Sequence, residues 1–132
     1  MISISLLKEF RDSKRELQEL LLQLRELKAT RENLPAVAFH GGGRSGSKSS
    51  PVESVIVKIE KLEVLYAEKL AERITRQIEI ESELKQLQVE DSMILRAYYI
   101  GGKTWQDVAD TFGFDVRTVN RKHKKILEKL SA

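Results

Sequence analysis

The chain has 132 residues, of which 41% are hydrophobic, 33% charged and 6% aromatic, with a formal net charge of +3. That is the length of one ordinary domain or two small ones, and a chain so rich in Leu, Ile, Glu, Lys and Arg suits long helices better than a β core. The lack of cysteine excludes disulfide scaffolds and thiolate metal sites, and no apolar run approaches the roughly 20 residues of a bilayer span. Met1–Leu7 is too short for a signal peptide and is cut off by Lys8 and Glu9, so an intracellular protein with no membrane segment is expected.

Charge is unevenly spread. Basic residues outnumber acidic ones seven to six in 1–34 and two to none in 35–52. The balance turns acidic, six to nine, in 53–90, and basic again, eight to five, in 91–132. Near the C-terminus Arg117, Arg121, Lys122, Lys124, Lys125 and Lys129 face Glu128 alone. A basic end behind an acidic middle points to a nucleic-acid-binding module attached to a body that does not bind.

Residues 5–34 read as one helix. Leu6, Phe10, Leu17, Leu20, Leu24, Leu27 and Leu34 fill seven of nine heptad slots, leaving Ser13 and Arg31 as the exceptions. Ser5 is the expected N-cap. Glu9 and Lys14 have the spacing of a charge pair between parallel coiled-coil strands. Phe10, Leu17, Leu20, Leu24 and Leu27 are the expected self-association residues, which makes 1–34 an oligomerisation segment. Leu7, Leu21 and Leu22 widen the stripe beyond a two-stranded seam, as in a helix that packs on more than one neighbour.

Pro35 ends this helix, and Gly/Ser-rich residues 35–52 read as a flexible linker. Ser50 and Pro51 restart the chain as N-cap and first helical residue. Residues 53–90 read as a second long helix. Its stripe of Val55, Ile59, Leu62, Tyr66, Leu70, Ile74, Ile78, Leu84 and Leu87 drifts towards steps of four. The N-terminal half is therefore a helical hairpin or a coiled coil, closed within one chain or between chains. Two weak signals are set aside. Ser47 separates Gly46 from Lys48, so the linker is no phosphate loop, and His40 and His123 stand apart from any metal-ligand cluster. No catalytic constellation and no cofactor site is visible, and the expectation is a protein that is not an enzyme.

Residues 91–132 carry the functional signal. A helix runs from Asp91 to Ile100, and Gly101-Gly102-Lys103 breaks it. Thr104 caps a second helix, Trp105–Phe112, with Asp107 three residues on in a near capping box. Gly113 makes the corner, and Asp115 caps a third helix from Val116 to about Leu130. This is the plan of a helix-turn-helix, the last part of a three-helix domain. Ala109 is the small residue at the close approach and Gly113 takes the left-handed corner. Val119 plugs the crossing, while Val108, Phe112 and Phe114 complete the core.

At 100° per residue, Val116, Val119, His123, Ile126, Leu127 and Leu130 share the buried face of the third helix. Arg117, Asn120, Arg121 and Lys124 share a second face about 120° away, and are the expected base-reading residues in a major groove. Thr104, Thr118, Lys122, Lys125 and Lys129 are the expected phosphate contacts. His123 is expected as a packed histidine with one ring nitrogen at the margin.

The stretch ILRAYYIGGKTWQDVADTFGFDVRTVNRKHKKILEKL resembles the C-terminal helix-turn-helix of sigma factors (region four). Within that superfamily it is most similar to small phage regulators of the RinA/ArpU type, through Gly102-Lys103-Thr104-Trp105, Val108-Ala109, Phe112-Gly113 and Arg117-Thr118-Val119. The likeness covers about 40 residues well, and about 80 if the linker and Ser50-Pro51-Val52-Glu53 are included. Lys122 departs from it, because an apolar residue is usual there. The resemblance implies a phage or prophage transcription activator of late genes, acting on double-stranded DNA in the cytoplasm of a bacterial host. A homo-oligomer, dimeric or higher, follows from the heptads, and a symmetric dimer would read two half-sites. The competing expectations are a phage DNA-packaging component and a sigma-like adaptor that binds RNA polymerase or another regulator.

Overall fold

A computed structural model describes residues 2–34 and 51–131. All regular elements among them are helical, so the fold is all-α as the sequence implies. Helix α1 spans Ile4–Asn33 and α2 spans Pro51–Leu84. Helix α3, Val89–Leu95, continues into a π-helical turn at Arg96–Ile100, and α4 (Trp105–Phe112) and α5 (Val116–Ser131) follow. The expected flexible linker falls on residues 35–50, outside the described residues, apart from Pro51 and Val52, which begin α2.

Local chemistry explains the helix ends. Ser3, rather than Ser5, accepts at α1, with Leu6 N donating to its Oγ at 3.0 Å. Helix α2 stops at Leu84 and does not reach residue 90. Gln86 N and Leu87 N turn back to Glu83 O and Leu84 O at 3.1 Å each, and Gln88 is extended (φ −63°, ψ 153°) before α3 begins. No Gly or Pro marks this break. It lets Leu84 on one side and Ile94 and Leu95 on the other enter one core.

The chain divides into two compact units. One comprises Met1–Arg15 with Ala71–Ala132, the other Glu16–Leu70. Both cuts fall inside helices, one within α1 and one within α2. The first unit buries Ile2, Leu7 and Phe10 from α1 and the residues before it together with Ile80, Leu84, Ile94, Leu95, Tyr99, Val108, Ala109, Val119, Ile126 and Leu130. The start of α1 thus belongs to the same core as the C-terminal helices. Phe10, read as an oligomerisation residue, is buried there with the Arg73 guanidinium 3.9 Å from its ring centre. In the second unit Leu17, Leu24 and Ile59 are buried, Leu20 and Leu27 are half-buried, and Lys28 pairs with Glu63 at 3.6 Å.

The apolar pattern of α2 also resolves differently. After Tyr66 the inward positions are Lys69, Arg73, Gln77, Ile80 and Leu84, whereas Ile74 and Ile78 are 51% and 66% exposed. The apparent drift towards steps of four joins two separate stripes.

Candidate nucleic-acid interface

The corner between α4 and α5 is built from local signals. Thr104 Oγ1 accepts from Asp107 N at 3.1 Å, and Asp107 Oδ2 accepts from Thr104 N at 3.3 Å. This full capping box satisfies two amides that α4 would otherwise leave open. Gly113 ends the helix at φ +74°, a conformation L side chains rarely adopt, and its N–H returns to Ala109 O. Asp115 then caps α5 by accepting from Thr118 N at 2.7 Å. Hydrogen bonding to Thr118 holds the Asp115 carboxyl below the ordinary carboxylate range.

Of the five expected corner residues, Val108, Ala109 and Val119 are buried, Phe112 packs half-buried against them, and Gly113 is exposed at the turn. On α5, Val119, Ile126 and Leu130 are buried, while Val116, His123 and Leu127 lie at the margin of the core. His123 Nε2 lies 2.7 Å from Tyr99 Oη, and Trp105 stacks on Tyr98 with ring centres 3.7 Å apart. Burial holds His123 below its ordinary pKa, with the nearby Lys8 charge acting in the same direction. Burial also pushes the Tyr99 hydroxyl up to about 12.

Arg117, Asn120, Arg121 and Lys124 are all exposed, and none has an ion pair or side-chain hydrogen bond among the described residues. They stand as a basic and amide row on one face of α5. The residues expected at phosphates divide into two groups. Lys125 and Thr104 are exposed, Thr118 is half-buried, and the Thr104 hydroxyl still has its proton to donate. Lys122 and Lys129 are already held by α3, donating to Glu90 at 3.2 Å and Asp91 at 3.1 Å. The Lys122 ammonium also lies 4.9 Å from the Phe114 ring centre. Packing that an apolar residue would supply at this turn comes instead from a lysine stem with its head paired.

A second set of cations was not legible as functional. The turn Tyr98–Lys103 exposes the carbonyls that end a helix, and three basic side chains cover them. Arg11 donates to Tyr98 O at 3.2 Å and Lys103 O at 3.1 Å, Lys14 to Gly101 O at 2.7 Å, and Arg73 to Ile100 O at 3.3 Å. Arg73 also donates to Phe10 O and Ser13 Oγ. Cations are favoured at helix C-termini because the last carbonyls carry the negative end of the helix dipole. Lys14 is thus held by this turn. Gly101 is required here: a Cβ would come within 2.8 Å of Ala97 O. The available sign was Arg73, a charge on the inward stripe of α2. Behind the turn Arg96 binds Glu81 through two nitrogens, the closer at 2.8 Å, and reaches Ser92 Oγ at 3.1 Å.

Fold and surface together define a class: an all-helical protein in which a small capped helix pair presents a cationic face. The chain belongs to the family described as "Protein of unknown function (DUF722)", which it matches over residues 6–132. No curated protein and no solved structure matches it. No group of three or more metal-ligating side chains occurs among the described residues, and no helix among them is long and apolar enough to cross a membrane.

Proposed function

We propose that this protein is a sequence-specific DNA-binding transcription regulator, a phage or prophage activator of late genes that acts as a homo-oligomer. In this reading α4 and α5 form a helix-turn-helix and α5 enters the major groove. The observation that carries it is the exposed, unpaired row Arg117, Asn120, Arg121 and Lys124. Arginine suits the acceptor edge of guanine and asparagine the adenine edge, so the row has the donors that a groove rewards. The N-termini of α4 and α5, with Thr104 and Thr118, supply amide and hydroxyl donors for phosphates. The likeness of residues 94–130 to phage regulators with a sigma-like helix-turn-helix supports the same reading.

The test separates base reading from phosphate holding. Arg121→Ala removes a base contact worth roughly 1–3 kcal/mol and abolishes the preference for a cognate duplex over a scrambled one. Lys125→Ala weakens both duplexes alike and lowers the slope of log affinity against log salt by about one. Titrations of both duplexes at two salt concentrations read this out. Equal loss on both duplexes in Arg121→Ala sinks the assignment of the reading face. A wild-type chain with no salt-dependent DNA binding points instead to an adaptor for RNA polymerase or another regulator. Binding confined to a packaging start favours the packaging component.

A further inference from the structure

Helix α2 carries two apolar stripes, and one of them is exposed among the described residues. The inward stripe runs through Val55, Ile59, Leu62 and Tyr66 to Ile80 and Leu84. The other lies roughly 140° further round the helix at 100° per residue and consists of Val57, Val64, Ala67, Ala71, Ile74 and Ile78. All six are exposed, with Val57 at 47% and Val64 at 59%. Their steps are seven, three, four, three and four, a strict heptad in which Glu60 takes the one missing slot. Single exposed apolar residues are ordinary on a protein surface, but a heptad run of them along one helix is a coiled-coil seam.

We propose that this stripe is the contact for a second copy of this chain, packed antiparallel along α2. The charges beside the seam choose both the partner and its direction. In a parallel pair, Glu63 of one copy faces Glu68 of the other, which is repulsive. In an antiparallel pair, the register that sets Val64 opposite Ala67 of the second copy also sets Val57 opposite Ile74. The same register brings Lys61 beside Glu68 of the second copy, and symmetry repeats that pair. Neither Lys61 nor Glu68 has an ion pair among the described residues. At the centre of the seam Val64 then meets Ala67, which lets the helices approach closely, while Glu60 of each copy lies against Ala71 of the other. The inference rests on the homo-oligomer of the preceding reading and moves its contact from α1 to α2.

Sedimentation equilibrium of the full chain at micromolar concentration, without DNA, tests it. The wild type sediments as a dimer, at twice 15.1 kDa. Val57→Lys with Ile74→Lys, which sets lysine against lysine across the seam, gives a monomer whose helical circular dichroism is unchanged, because both side chains are exposed in the folded chain. Glu68→Lys raises the dissociation constant at least several-fold, and adding Lys61→Glu in the same chain restores it. A monomeric wild type overturns the inference and the homo-oligomer together, while the DNA reading still stands on its own titrations. An oligomer that keeps its mass in the Val57, Ile74 double variant overturns the α2 contact alone. Tighter association in Glu68→Lys overturns the antiparallel direction.

Discussion

Thirteen buried hydrophobic residues form one cluster in the unit that holds the C-terminal helices, whereas Glu16–Leu70 buries three among its described residues. The first unit also concentrates the capping box, the left-handed glycine, the bidentate Arg96–Glu81 pair and the three cations on the Tyr98–Lys103 turn. The second has a thin seam among its described residues, with Lys28 and Glu63 paired at its exposed margin at 3.6 Å. A region with a core of its own holds its geometry without help. Helices with a thin seam are stabilised by whatever covers their remaining apolar surface.

The largest expected effect tests the contrast directly. Leu95→Ala, at a position with no exposed surface, costs about 2–5 kcal/mol in urea unfolding through the cavity it leaves. Leu24→Ala, the same deletion in the seam, costs less, and amide exchange in Glu16–Leu70 is faster than in α3 and α5. Equal costs and equal exchange would show that the two units open as one.

Next in size is Arg73→Met, which keeps the stem and strips the donors from Phe10 O and Ile100 O. Hydrogen bonds to charged groups are worth about 1.5–3 kcal/mol, so the loss should be of that order. Arg76→Met, exposed on the same helix, should stay within about 0.5 kcal/mol. Similar melting midpoints for the two variants would remove Arg73 from the turn's support. Smaller still, Gly113→Ala places an L side chain at φ +74° with no atom within 4 Å of its Cβ. Its cost is therefore backbone strain alone, roughly 1–2 kcal/mol, against about 1 kcal/mol for losing the cap in Thr104→Ala.

The smallest effect is on pH. His123 titrates below its ordinary value in the folded chain, so its stabilisation is fully present above about pH 6.5 and is lost as pH falls through the folded value. Tyr99 has the opposite sense: with its hydroxyl pushed up to about 12, stability declines as pH rises beyond about 10. Urea midpoints between pH 5 and 7.5 should fall on the acid side, and His123→Phe should flatten that slope. An unchanged slope would mean that other groups carry it.

Much of the C-terminal architecture was legible because its signals are short-range. Thr104 with Asp107, Gly113 and Asp115 act within four residues, so their caps and turn can be read from spacing alone. The surroundings of Phe10 and Lys14 were not legible, for the opposite reason. Heptad position shows that Phe10 is apolar on one face, and charge spacing shows that Lys14 is available, but neither names the partner. Their actual neighbours, Arg73 and Gly101, lie 63 and 87 positions away in sequence.

The amino-acid sequence by itself determined the all-helical class, the caps of α4 and α5 and the division of α5 into an apolar and a cationic face, because helix periodicity and end chemistry are local. Only the tertiary structure decided where α2 stops, that the start of α1 joins the C-terminal core, and which lysines of α5 are already paired. Those outcomes depend on which apolar surfaces and charges meet across long stretches of chain. The break after Leu84 shows it most plainly: no residue there forbids a helix, and the chain turns so that Leu84, Ile94 and Leu95 are buried together.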